Sequence, residues 1–460
     1  METGEIKIYN TLTKTKQDLH PLSDNRINFF VCGPTVYDYP HLGHAKTYTQ
    51  FDFIVRYLRF KGYDVFYLQN ITDVDDKIIQ RAQQRGVSWD HLAREFEAIY
   101  LEDMKALDNV SVTQYARATE FIDQVVNQVE RLLALGVAYR TSDGVYYDLT
   151  NFPDYGKLSG RTESRREDAI SRIDESIEKR NWNDFCLWKT EKPGEPSWHS
   201  SLGRGRPGWH IEDTAITEAI FGAQYDAHGG AIDLIFPHHE AEIAQMEAIS
   251  GLKPMVRYWI HTGFLNIDSK KMSKSFGNFT TIRDALTRFN SRALRFFFLS
   301  THYRTTIDFN ESSLLQAQSA LDRIDGFIFN INRGSDVIGE ARAVELLEQS
   351  IFDALDDDFN TPRAFASMFE FIRIQNAKGS SGELTYNLFK TLNDLFRIFR
   401  FDDVSINDEI AKLVAERQRF RAERQYHKAD QIRAQLFEMG IQVYDTSDGV
   451  KWKIRTSKES

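Results

Sequence analysis

This sequence predicts an α/β fold in which a helix-covered parallel sheet is followed by a helical bundle and a small mixed module. Three observations carry the expectation. Short β-rich runs alternate with helical stretches, and alternating βαβ units imply a parallel sheet with helices on its faces. From Leu314 to Phe401 charged and apolar positions interleave at helical spacing almost throughout, which reads as a bundle. A length of 460 residues, 42% of them hydrophobic, outgrows a single core and suggests about three compact units.

Taken in order, Phe29-Phe30-Val31-Cys32-Gly33 reads as a buried strand ending in a Gly-Pro turn, and Ala45 to Tyr57 has helical spacing. Tyr63 to Leu68 is strand-like and Val74 to Arg85 helical, while Phe121 to Leu135 forms an amphipathic helix with Val125, Val129, Leu132 and Leu133 on one side. Between Tyr139 and Trp198 the pattern breaks into hairpin-like and loop segments marked by Asp143-Gly144, Pro153, Gly156 and Gly160, then a charged stretch from Glu163 to Arg180. An insertion between the halves of a nucleotide-binding fold would look like this. Sheet character is expected again over Asp233 to Phe236. Inside the bundle, Asp356-Asp357-Asp358-Phe359-Asn360-Thr361-Pro362 reads as a break between helices, with Asn360 or Thr361 capping and Pro362 in the first turn. A long helix, roughly Asn407 to Met439, carries Ile432, Leu436 and Met439 on one stripe and stops at Gly440. Two short strands are expected around Asp445 to Gly449.

Composition narrows the function classes. Neither a charged, apolar-cored leader nor a run of eighteen apolar residues occurs, so the chain is expected in the cytoplasm and not in a membrane. Two cysteines, Cys32 and Cys186, make no disulfide framework and fit a reducing compartment; Cys186, in an apolar run, reads as a small core residue. A formal charge of −10 argues against indiscriminate coating of nucleic acid. Residues 411–460 nevertheless hold 11 Lys and Arg against 7 Asp and Glu, which suggests a terminal module that touches a polyanion.

Two segments carry chemistry. His41-Leu42-Gly43-His44 falls between the first strand and the following helix, so it sits near a helix N-terminus, whose partial positive charge and free N–H groups suit phosphate. Gly43 lets backbone or a base approach without a Cβ in the way. Lys271-Met272-Ser273-Lys274-Ser275, followed by Gly277 and Asn278, has no apolar periodicity and is expected to be a mobile loop able to close over a triphosphate. The pair, in this order, resembles the signature of class I aminoacyl-tRNA synthetases. Activating an amino acid builds negative charge on phosphoryl oxygens, and histidines and lysines meet it.

A second constellation has metal-ligand character. Pro237-His238-His239-Glu240-Ala241-Glu242 opens a helix, and His238 and Glu242, four apart, share one face of it. With Cys32 they offer imidazole, carboxylate and thiolate, all zinc ligands. By itself the spacing is also that of a solvated helix face.

The resemblance becomes specific over Phe30-Val31-Cys32-Gly33-Pro34-Thr35-Val36-Tyr37-Asp38, Asn70-Ile71-Thr72-Asp73-Val74-Asp75-Asp76-Lys77-Ile78, Gly203-Arg204-Gly205-Arg206-Pro207-Gly208-Trp209-His210-Ile211-Glu212 and Phe236 to Glu242. On these motifs the chain resembles the cysteinyl-tRNA synthetase family from about residue 5 onward. That implies a Rossmann-type catalytic domain in two parts, residues 1–122 and 193–256, split by a connective insertion at 123–192. A stem-contact region with the lysine loop, 257–313, then precedes the bundle at 314–403 and an anticodon-binding domain at 404–460. It implies His41, Gly43, His44, Lys271 and Lys274 on ATP, with magnesium, and Thr72, Trp209, His228 and Asp233 around L-cysteine, Asp233 on its ammonium. It implies zinc on Cys32, His238 and Glu242. The family usually has a cysteine as fourth ligand where this chain has Asp213; a carboxylate of equal formal charge is expected to take that place in a harder site, the alternatives being zinc on the other three groups alone and a site without tightly bound metal. The partners implied are ATP, L-cysteine and tRNA(Cys), and the usual state is a monomer. Two other readings stand beside this one: a ligase that passes activated cysteine to a small amine, as the mycothiol-pathway relatives do, and a catalytically inactive paralogue that binds RNA.

Overall fold

The computed structural model describes residues 5–161, 176–268, 270–271, 279–331, 338–378, 381–401, 408–439, 441–446 and 449–454. The chain opens with an antiparallel hairpin, β1 (Lys7–Asn10) and β2 (Thr15–Asp18), and enters the central sheet at β3 (Arg26–Val31). Helix α1 (Leu42–Phe60) leads to β4 (Asp64–Ile71), and two further helices, Asp76–Arg85 and Trp89–Ala106, to β5 (Gln114–Arg117). After the helix Ile122–Ala134, the strands β6 (Ala138–Arg140), β7 (Gly144–Tyr147), β8 (Phe185–Thr190) and β9 (Gly205–Pro207) form a separate antiparallel sheet in that order. The chain then returns through the helix Ile211–Phe221 to β10 (Tyr225–Ala231) and, after the helix Glu240–Ser250, to β11 (Val256–Thr262). The central sheet is parallel with order β11-β10-β3-β4-β5. Its strands are covered on both faces, which is why β3 is a nearly continuous apolar run with Ile27, Phe29, Phe30 and Val31 all buried.

Helix α1 is the axis of the molecule. Its residues are buried on nearly every side, because it lies between the sheet and the helices Ser291–Leu299 and Glu383–Phe396. Polar side chains within it are consequently paired. Asp52 Oδ2 accepts from Arg56 Nε at 2.8 Å and from the fully buried Arg295 at 2.5 Å, and Arg295 also donates to the Phe396 carbonyl at 2.7 Å. That arginine joins the nucleotide-fold half to the bundle, whose helices are Glu311–Phe329, Glu340–Asp356, Thr361–Lys378 and Glu383–Phe396. At the bundle corner Asn360 Oδ1 caps the third of these through Arg363 N at 3.1 Å. Asp358, at positive φ and buried, accepts from Tyr9 N, Tyr303 Oη and Arg304 Nε at 2.9, 2.7 and 2.9 Å, tying the corner to the N-terminal hairpin.

Three expectations are corrected. The strand expected over Asp233 to Phe236 is instead β10, Tyr225–Ala231; residues 232–234 form a tight helical turn and 235–239 a wider one interrupted by the extended backbone of Phe236. Gly229 and Gly230 both lie within that strand. A Cβ would stand 2.5 Å from the Phe51 ring at Gly229 and 2.8 Å from the His239 ring at Gly230, so packing, not turning, selects glycine there. Secondly, the long helix expected over Asn407 to Met439 is two, Asp408–Ala422 and Tyr426–Glu438, reversing at Arg424 with φ 59°. The reversal lets Ile432 and Leu436 pack with Ile441 and Val443, while Met439 stays 40% exposed. The strands that follow are β15 (Ile441–Thr446) and β16 (Gly449–Ile454), paired antiparallel; they flank the predicted segment more than they occupy it. Thirdly, Lys271 is not in a loop. Between β11 and the helices, β12 (Leu265–Ile267) pairs with β13 (Lys270–Lys271) and, in parallel, with β14 (Ile307–Phe309). Residues 272–278, including Lys274, lie outside the described residues, as do 162–175 of the charged insertion stretch and Gly440.

Cys186 is a core residue, buried with Tyr139 and Tyr146. Among the described residues, no helix is long and apolar enough to cross a membrane.

Candidate active site

From β3 the chain steps to β4 on one side, whereas β10 lies on the other, so the C-terminal ends of β3 and β10 bound a crevice at the point where strand order reverses. A cleft of 380 Å³ opens there, and Cys32, His41, Gly43, His44, Trp209 and Asp233 all line it. Residues separated by up to two hundred positions thus meet at one wall.

His41 and His44 cap α1 reciprocally. His41 Nδ1 accepts from Gly43 N at 3.1 Å and His44 N at 3.3 Å, while His44 Nδ1 accepts from His41 N at 3.2 Å. The rings stack with centroids 3.8 Å apart. A ring nitrogen that accepts carries no proton, so both imidazoles are assigned the tautomer protonated at Nε2, where the ring is a donor. Two such donors at a helix N-terminus make a receptor for phosphoryl oxygen.

Behind Cys32 lies a buried acidic cluster. His238 Nε2 stands 3.7 Å from Cys32 Sγ, 3.2 Å from Asp213 Oδ2 and 3.2 Å from Glu242 Oε1. Asp213 is in the first turn of the helix Ile211–Phe221, and Glu242 in the first turn of Glu240–Ser250. Among the described residues neither oxygen of Glu242 makes a hydrogen bond, and the ion pairs of Asp213 and Glu242 are to histidines. Burial pushes the Cys32 thiol up, and Asp213 and Glu242 push it further; burial and then Asp213 do the same to the Glu242 carboxyl. Groups that resist ionising beside one another are what a divalent cation would reverse. Asp213, His238 and Glu242 offer ligand atoms close enough for one ion, and Cys32 adds a thiol beside the same imidazole, so the donor set fits a metal. His210 Nδ1 meets His238 Nδ1 at 2.8 Å, which turns Nε2 of His238 to the cluster. Trp209 stacks on the His238 ring at 4.3 Å.

The remaining predicted residues fall in different layers. Asp233 is exposed, on a short helical turn just past β10 and not at a strand start. Thr72 and His228 are buried behind the cleft wall. The latter is stacked on Trp259 at 4.3 Å and bonded to Tyr225 Oη at 2.8 Å, and burial holds it well below the usual imidazole range. Sequence reasoning assigned nothing to Lys46, whose Nζ donates to Gln50 Oε1 and the Gly263 and Tyr303 carbonyls at 3.1, 2.7 and 3.3 Å. That buried amine, drawn down to about 7 by desolvation, holds the Gly263 segment against the cleft.

Comparison with known proteins agrees with this architecture. The family model described as "tRNA synthetases class I (C) catalytic domain" matches residues 18–319, "DALR domain" residues 351–400, and "Cysteinyl-tRNA ligase anticodon binding domain" residues 403–452. In fold the chain is similar to the Mycobacterium tuberculosis methionyl-tRNA synthetase in complex with methionyl-adenylate, with a TM-score of 0.60 at 17% identity over 81% of this chain and 89% of that one. Sheet, split topology and catalytic-domain match together define a class I aminoacyl-tRNA synthetase fold. At higher similarity, the cysteine–tRNA ligase of Carboxydothermus hydrogenoformans is 42% identical over 97% of this chain and 100% of its own, and that of Thermococcus gammatolerans 43% over 97% and 99%. The chain belongs to the cysteine–tRNA ligase family.

Proposed function

We propose that this enzyme activates L-cysteine with ATP to cysteinyl adenylate and transfers the cysteinyl group to the 3′-terminal adenosine of tRNA(Cys), releasing AMP and pyrophosphate. The observation that carries the reading is the similarity to cysteine–tRNA ligases, 42% over 97% of the chain, on a fold whose cleft is lined by both capping histidines and by Cys32. The anticodon-binding match over residues 403–452 favours tRNA over a small amine as acceptor.

In this reading His41 and His44 donate from Nε2 to the phosphate oxygens as the cysteine carboxylate attacks the α-phosphate, and Gly43 leaves room for the nucleotide. Lys271 and Lys274 bring positive charge to the leaving pyrophosphate, with magnesium bound to ATP. Trp209 covers the cysteine side of the cleft and Asp233 receives the ammonium, while Thr72 and His228 shape the wall behind. Cys32, Asp213, His238 and Glu242 would hold zinc, which supplies a soft Lewis acid for the substrate thiolate and none of comparable affinity for the serine hydroxyl. A site that recognises a polar difference discriminates strongly without editing.

Cysteine-dependent ATP–pyrophosphate exchange, charging of a tRNA(Cys) transcript and zinc content by elemental mass spectrometry test the proposal. Exchange, charging and about one zinc per chain are expected. Exchange without charging would refute the tRNA assignment, absence of both would mark an inactive paralogue, and full activity without zinc would refute the metal assignment.

A further inference from the structure

We infer that Asn70 is a positioning residue that holds Asp213 as a one-oxygen ligand, and that this lets a carboxylate serve in the buried cluster. The inference rests on the metal reading above. Asn70, near the end of β4, is 1% exposed. Its Nδ2 donates to Asp213 Oδ1 at 2.6 Å, and Asp213 Oδ2 faces His238 Nε2 at 3.2 Å. The two oxygens of one carboxylate therefore have different partners: the amide occupies the first and leaves the second to the cluster.

The other end of the same amide reaches the cysteine ligand's segment. Asn70 Oδ1 accepts the N–H of Gly33, the residue after Cys32, and a Cβ on Gly33 would stand 1.8 Å from the Asn70 carbonyl oxygen. The turn after β3 is pressed onto Asn70 so closely that only glycine fits. One side chain thus ties the segments bearing Cys32 and Asp213, 181 positions apart. The tie matters more for a carboxylate than for a thiolate. A buried carboxylate with its second oxygen unsatisfied carries a desolvation penalty and is free to turn that oxygen inward; a thiolate presents one donor atom and has no second to fix. Partners that orient a ligand in this way are worth roughly 10–100-fold in metal affinity.

Zinc affinity by chelator competition, measured on the full chain, on N70A, on D213C and on N70A/D213C, tests this. N70A is expected to lose roughly 10–100-fold in the aspartate chain, and most of that loss is expected to vanish when D213C supplies a thiolate. A merely structural role for Asn70, in holding the Gly33 turn, would weaken zinc equally in both backgrounds and overturn the inference while leaving the metal reading intact. A wild-type chain without tightly bound zinc would overturn both. Thermal unfolding of the metal-free proteins accompanies the series, and N70S repeats the same comparison with a smaller truncation if N70A does not fold.

Discussion

Replacing His41 separates its capping of α1 from the phosphate contact proposed for it. Its Nδ1 caps α1 by accepting from Gly43 N and His44 N, and its Nε2–H is the donor assigned to phosphate. Asparagine places an acceptor oxygen near the position of Nδ1 and nothing at Nε2, whereas alanine provides neither. Losing an N-cap costs about 1 kcal/mol, and Asn is itself a preferred cap, so H41A is expected to be less stable by about that amount and H41N to match the wild type within a few tenths. Removing one preorganised donor from an oxyanion costs roughly 10²–10³ in rate, about 2.7–4 kcal/mol. Both variants should therefore lose cysteine-dependent ATP–pyrophosphate exchange by a similar, large factor while differing in unfolding free energy. The donor term exceeds the capping term about threefold, so activity and stability should not track each other. Near-wild-type exchange in H41N would refute the reasoning, for it would make His41 a cap and no more.

Lys274→Ala is expected to slow adenylate formation much more than it weakens cysteine binding, because its charge acts mainly on the transition state; equal losses in single-turnover rate and in cysteine Kd would count against the role. Removing residues from 405 onward should abolish tRNA charging and spare exchange, since the C-terminal unit packs Leu413, Val414 and Phe420 around its own core of Ile432, Leu436, Ile441 and Val443; unchanged charging would remove the anticodon assignment. Asp52→Ala should destabilise the enzyme by about 3–5 kcal/mol in denaturant unfolding, because it leaves the buried Arg295 guanidinium without its carboxylate. Burial raises the Asp52 carboxyl, but Arg295 and Arg56 more than reverse this and hold it below the ordinary carboxylate range. A depressed value means that the pair's contribution is complete above the unfolded value of about 4 and is lost as pH falls through the lower folded one. The wild type should lose more stability than D52A on acidification in that window, and parallel pH curves would refute the pairing.

How much of this was legible beforehand follows the range of the interactions involved. The HLGH segment could be read at once, because its capping geometry is settled within four consecutive residues and a helix N-terminus is a local object. The same holds for β3, β4, the helix Ile122–Ala134 and the Asn360 cap, whose patterns repeat over a few residues. Cys32, His238 and Glu242 stand out by their donor chemistry, but their spacing is also that of a solvated helix face, and Asp213 enters only through the resemblance. Errors fell where long-range packing overrides local preference. Gly229 and Gly230 are strand residues because the rings of Phe51 and His239 occupy the space of their side chains, and Arg424 reverses the chain because a core forms beyond it. Asn70 on Asp213, His210 on His238 and Lys46 on the Gly263 carbonyl are contacts between distant segments, for which no spacing exists to read. Local chemistry, which the chain order preserves, was therefore written in the sequence. Which buried groups face one another was decided by the sheet order and by close packing, because those alone bring separated segments within hydrogen-bond reach.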